Sequence, residues 1–164
     1  MQPDLTDPTT PGYFHLEELE VFQGLEGRTL TGINYYFWLH YRGVERSHPR
    51  FLYAVELLFD SDAALLLSSG DDSAAIRILP PEELIKTAHL LQALHGQVSM
   101  QRAPAGESPL WQPVLGKGLV EFRLTKNETG LFHNDALLLD FGVRRILLGL
   151  SLKEGLELGI YPEK

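Results

Sequence analysis

Two stretches of this chain alternate their side chains with a period of two, and that pattern limits the fold more than any other feature. Ile33, Tyr35, Phe37, Leu39 and Tyr41 have one parity, and Asn34, Tyr36, Trp38, His40 and Arg42 have the other. Phe51, Tyr53, Val55, Leu57 and Phe59 line one face of the next stretch, opposite Ala54, Glu56 and Asp60. Successive side chains of an extended chain point to opposite faces, whereas a helix repeats near every 3.6 residues. Both stretches therefore predict strands. Similar alternation or short apolar runs recur at Ala64–Leu67, around Ile76 and Ile78, and through Val120, Phe122 and Leu124. They recur again at Leu137, Leu139 and Phe141, from Ile146 to Leu152, and from Leu156 to Ile160. Asp60-Ser61-Asp62 and the run 68–73 supply the turns between them. The fold class expected is mainly β (α+β), an antiparallel sandwich or partly open barrel of roughly eight or more strands.

One segment breaks the alternation with helical spacing. After Pro80-Pro81, Glu82 and Glu83 stand where a helix dipole favours anions, and Gly96 offers a left-handed stop. Leu84, Ala88, Leu91 and His95 form one stripe, with Ile85 and Leu94 beside it, so a helix is predicted over 81–95. Leu16, Leu19 and Phe22 predict a shorter helix within 13–23. Residues 101–113 carry Pro104, Pro109, Pro113 and Gly106 and read as a surface loop anchored by Trp111. Residues 1–12, with Pro3, Pro8 and Pro11 among Thr and Asp, read as a mobile tail before a single globular domain, 13–164.

The strands carry a weak internal repeat. Residues 54–82 align without a gap on 136–164: Ala54 meets Ala136, Leu57 meets Leu139, Phe59 meets Phe141, and Leu65-Leu66 meets Leu147-Leu148. At another offset, Gly27-Arg28-Thr29-Leu30 resembles Gly116-Lys117-Gly118-Leu119. Two similar units, each burying one face, can close on each other. A single meander with a helix over one open end predicts the same secondary structure.

Composition narrows the function. The formal charge is −8 over 164 residues, and the whole excess lies before residue 83, where 13 acidic residues face 5 basic ones. Nonspecific nucleic-acid binding needs Lys and Arg to replace phosphate counterions, so no nucleic-acid partner is expected. No apolar run approaches the ~18 residues of a membrane span, and the first residues lack the basic and apolar regions of a signal peptide. These features lead to an expectation of a cytoplasmic protein without a membrane partner. The absence of cysteine excludes disulfides, thiolate metal sites and a thiol nucleophile.

Motifs for chemistry do not assemble. His89 and His95 are six apart, not at the four-residue spacing that lets two imidazoles hold one zinc, and no H-E-x-x-H string occurs. There is no G-x-S-x-G elbow and no phosphate loop, and Asp60/Asp62 and Asp71/Asp72 lack the spacing of a calcium loop. His133-Asn134-Asp135 reads as a turn. No cofactor, metal or catalytic residue is expected.

The segment richest in recognition chemistry is Tyr35–Arg42. If Tyr35, Phe37 and Tyr41 fill the core, then Tyr36, Trp38, His40 and Arg42 share the opposite face, and Arg46 and Arg50 follow in the next loop. Aromatic residues with polar tips beside Arg are the composition of binding hot spots. Set against this is a central strand buried on both faces, its aromatics packing against helix 81–95, and that reading leads. The function expected is a non-enzymatic binding protein, an inhibitor or immunity-type partner of a basic protein. The alternative is a barrel that binds a small anionic or aromatic ligand through Tyr36, Trp38, His40, Arg42, Arg46 and Arg50. A carboxylate-based enzyme is the least favoured class.

Overall fold

The computed structural model describes residues 12–40, 50–69, 75–94, 98–126, 128–151 and 154–161. The tail expected over 1–12, apart from Gly12, lies outside the described residues. Among the described residues the chain runs α1 (Leu16–Leu25), β1 (Leu30–His40), β2 (Arg50–Phe59), β3 (Ala64–Ser68), β4 (Arg77–Ile78) and α2 (Pro81–Leu94). It continues with β5 (Val98–Pro104), a 3-10 turn (Gln112–Val114), β6 (Glu121–Arg123), β7 (Ala136–Asp140), β8 (Arg145–Ser151) and β9 (Gly155–Ile160). The strands form one mixed sheet in the order β4-β3-β2-β9-β8-β7-β6, with β1 beside β2 and β5 beside β1. The sheet is curled into a half-barrel, a mainly β fold of the partly open kind. No helix among the described residues is long and apolar enough to cross a membrane.

The internal repeat has a structural counterpart. β2-β3-β4 and β7-β8-β9 are both antiparallel meanders, entered by β1 and β6 respectively. Val55 lies opposite Leu67 as Leu137 lies opposite Leu148, and Leu67 opposite Ile78 as Leu148 opposite Leu158. The ungapped alignment is correct on the first strand and slips by one residue at each turn. Leu65 therefore corresponds to Ile146, both turned wholly into the core, and not to the exposed Leu147. The first slip has a visible cause. The β2–β3 turn closes from Phe59 N–H to the Ala63 carbonyl through left-handed Ser61 and Asp62, while β7–β8 closes one residue shorter, from Phe141 to Arg144.

The two look-alike Gly segments bind each other. Gly27 N–H donates to the Leu119 carbonyl and Gly116 N–H to the Leu30 carbonyl, at 2.6 and 2.8 Å. Leu30 N–H donates to Lys117 and Leu119 N–H to Arg28, at 3.0 and 2.8 Å. The reciprocity is what an approximate twofold between the halves requires. Both glycines have positive φ, +90° and +80°, where a side chain would be strained.

The main core lies inside the curl, with Leu30, Leu57, Leu65, Leu67, Leu137, Leu139, Ile146 and Leu148 almost wholly buried. Each half is capped by a residue of the other. Phe22 of α1 stacks on Phe122 of β6 at 4.7 Å, and Trp111 reaches Tyr35 of β1. A second, smaller cluster lies on the outer face of β1–β2–β3 beneath α2, around Trp38, Tyr53, Ala54, Leu66 and Leu84.

Three local expectations are corrected. Residues 101–104 end a strand rather than belong to a loop; among the described residues β5 is paired only to β1, and a sheet edge tolerates Pro104. The parity of β2 breaks at a bulge where β1–β2 register shifts after Tyr36: Leu52, Val55, Leu57 and Phe59 turn inward, while Phe51, Tyr53 and Ala54 join the outer cluster. Ile85, placed beside the buried stripe of α2, is 59% exposed because Leu84 makes the contact with the sheet.

Candidate binding groove

Strand β1 presents two aromatic faces. On the outer face Trp38 stacks on Phe51 at 5.0 Å and on Tyr53 at 4.7 Å, and is only 8% exposed. The bulge makes this sandwich, because it turns Tyr53 outward beside Phe51. The Trp38 Nε1–H has no hydrogen-bond partner among the described residues. Half-buried Tyr36 donates its hydroxyl to Glu56 Oε1 at 3.4 Å, and Asn34 Nδ2 donates to the same oxygen at 2.9 Å. Burial and then the Glu56 carboxylate raise the Tyr36 phenol pKa above its ordinary value, against an opposing pull from Arg102. The structure thus brings Tyr36 and Trp38 together under α2. His40 and Arg50 end their strands, with Leu39 opposite Arg50; their side chains, together with Arg42 and Arg46, lie outside the described residues.

The inner face behaves differently. Tyr35 and Phe37 meet edge to face at 5.8 Å and are only partly buried. The wholly buried Trp111 donates its Nε1–H to the Tyr35 hydroxyl at 2.6 Å. Burial raises the Tyr35 phenol pKa, more than the Trp111 bond lowers it. Both rings wall an open groove of about 590 Å³ whose other apolar lining is Leu52, Leu110, Leu156 and Leu158. Exposed Glu154 and Glu157 complete it.

The groove exists because the sheet is joined so briefly at this point. Among the described residues β2 and β9 run parallel and register only at Leu52 and Gly155, with Leu52 N–H donating to the Glu154 carbonyl at 2.8 Å. Gly155 is indispensable to that contact: its φ is +79°, and a Cβ would lie 2.3 Å from the Leu52 carbonyl oxygen.

Two other polar clusters fasten elements together. Glu18, 8% exposed, accepts from His15 N–H at 2.8 Å, from Arg77 Nη1 at 2.7 Å and from Ile78 N–H at 2.9 Å, tying α1 to β4. Asp140 accepts from Gly142 N–H at 2.8 Å and faces Arg123 and Arg145 at 3.2 and 3.5 Å. Among the described residues no group of three or more His, Asp or Glu is arranged to hold a metal ion. His133-Asn134-Asp135, read as a turn, bends at Asn134 and Asp135, and also lies against Gly12 and Tyr13: Tyr13 bridges His133, and Asn134 N–H donates to the Gly12 carbonyl.

Sequence reasoning assigned Tyr35 and Phe37 to the core, against which both pack, but did not foresee the groove they also line. The signal available was a tyrosine on the inward parity, since a buried phenol needs a hydrogen-bond partner or access to water. No protein-family model, curated protein or solved structure matches the chain.

Proposed function

We propose that this chain is a non-enzymatic binding protein whose site is the groove between β1 and β9, and that its partner is a basic protein. The observation that carries this reading is the composition of the groove. Aromatic and aliphatic walls from Tyr35, Phe37, Leu52, Leu156 and Leu158 stand beside Glu154 and Glu157, on a chain of net charge −8. Apolar walls supply affinity through burial, and the carboxylates with the overall field select and steer a cationic partner.

Isothermal titration against basic candidate proteins at low and high salt tests the reading. Binding is expected at low salt, weaker at high salt, and weaker again in a Glu154→Gln, Glu157→Gln double variant. Affinity indifferent to both salt and these two carboxylates rejects it. The groove volume, about 590 Å³, also supports a second reading, a small apolar ligand, because such sites span roughly 300–1,000 Å³. A metabolite that raises the melting temperature of wild-type protein, but not of a Phe37→Ala variant, favours that reading.

A further inference from the structure

We propose that the groove receives one large apolar side chain from an extended, basic segment of the partner; this deepens the reading of the groove as a partner site and rests on it. The argument comes from the other half of the molecule. Under the approximate twofold, Trp111 corresponds to Phe22 and Tyr35 to Leu124, while the β9 residues Glu157 and Leu158 correspond to Arg77 and Ile78 of β4. The Tyr35 and β9 walls of the open groove therefore have counterparts in β6 and β4, and Trp111, which bonds Tyr35 from behind the groove, has its counterpart in α1.

Beside Phe22, and next to a smaller open pocket that Phe22 and Leu124 help to line, the chain seats a residue of its own. Phe14 is wholly buried and sets its ring edge-on to Phe22 at 5.1 Å. Its N–H donates to the Phe132 carbonyl at 2.9 Å, and neighbouring Tyr13 offers its carbonyl to Arg77 Nη1 at 2.9 Å. The extended run Tyr13–His15 thus crosses from the start of the second unit to β4 with one aromatic ring inward. The charge match is explicit, since Arg77 on the wall bonds Glu18 just beyond Phe14 at 2.7 Å.

In the open groove the corresponding wall residue is Glu157, of opposite sign, with Glu154 beside it. Complementarity then asks for an inserted ring or long aliphatic side chain flanked by Lys or Arg. The same geometry that takes Phe14 from within the chain on one side takes a foreign residue on the other.

The test uses the full chain and three synthetic probes: an acetylated Gly-Lys-Phe-Lys-Gly amide, the same peptide with Ala for Phe, and the same peptide with Glu for both Lys. Amide chemical shifts are followed on titration, in wild type and in Glu157→Lys, a change at an exposed site. The Lys-Phe-Lys probe is expected to move amides of β1 and β9, and loss of the ring to weaken it on the order of tenfold. Glu157→Lys, which leaves Glu154 in place, is expected to shrink the preference for the Lys probe over the Glu probe. Equal binding of the Ala probe, shifts confined to other surfaces, or an unchanged preference in Glu157→Lys overturns the proposal. If basic proteins still bind with salt dependence in those cases, only the inserted side chain falls; if they do not, the partner reading falls with it.

Discussion

Trp38 shows how one residue's position separates stability from recognition. Its ring lies between Phe51 and Tyr53 and beneath α2, and truncating a buried aromatic removes both transfer energy and packing. Trp38→Ala is expected to lower unfolding free energy by about 3–5 kcal/mol in urea titration; a near-neutral result places the ring outside the fold's packing. Tyr35 gives a pH-dependent counterpart. Its phenol is held neutral more firmly in the folded chain than in the unfolded one, whose pKa is near 10.0. The contribution is complete below that value and is lost as pH rises through the higher folded pKa. Urea unfolding above and below 10.0 is expected to show an alkaline loss that shrinks in Tyr35→Phe. At neutral pH the same variant strands the buried Trp111 N–H and costs about 1–3 kcal/mol.

Among the elements, the β2–β9 junction is the most exposed to a single change. Any side chain at 155 meets the Leu52 carbonyl and a left-handed backbone, and the backbone conformation alone costs a non-glycine residue roughly 1–2 kcal/mol. Gly155→Ala is expected to lower the denaturant midpoint and to spread the groove. Gly159→Ala, on the same strand with no atom within 4 Å of the added carbon, is expected to leave the midpoint nearly unchanged. Equal effects of the two substitutions rule out the close approach as the cause. Legibility at this scale was uneven. The helix predicted over 81–95 starts where the sequence placed it, at Pro81, because Pro and the paired glutamates mark its start locally, and runs through Leu94, beyond which 95–97 lie outside the described residues. β5 was not legible, since an edge strand paired on one side imposes little pattern on its sequence. The bulge in β2 was hidden because Phe51 and Tyr53 are as apolar as the inward Val55 and Leu57, so alternation continued through a break in facing.

Across the whole molecule, each meander is capped from the other half, with Phe22 on Phe122 and Trp111 on Tyr35. Each half therefore takes part of its burial from the other. Fragments spanning 12–94 and 98–161 are expected to lack cooperative unfolding separately and to regain strand circular dichroism on mixing. A cooperative transition in either isolated fragment shows that the caps are dispensable. The acidic excess of the first half is likewise redistributed by folding. Glu18, one of its 13 acids, turns inward to Arg77, while Glu154 and Glu157 of the near-neutral second half flank the groove.

By itself the sequence determined what its local physics can express: strands from period-two alternation, a helix from its end signals, and turns from Asp, Ser and Gly, while its repeated letters left two related halves and a single meander both open. Only the tertiary structure decided which of β1's two aromatic faces lies under α2 and which lines a groove. Both faces satisfy the burial of a strand equally well, and the choice depends on what the fold brings over them. The same holds for the Gly27 and Gly116 segments. Their resemblance is written in the chain, but reciprocal hydrogen bonding between them requires closure across nearly ninety positions, which no local pattern encodes.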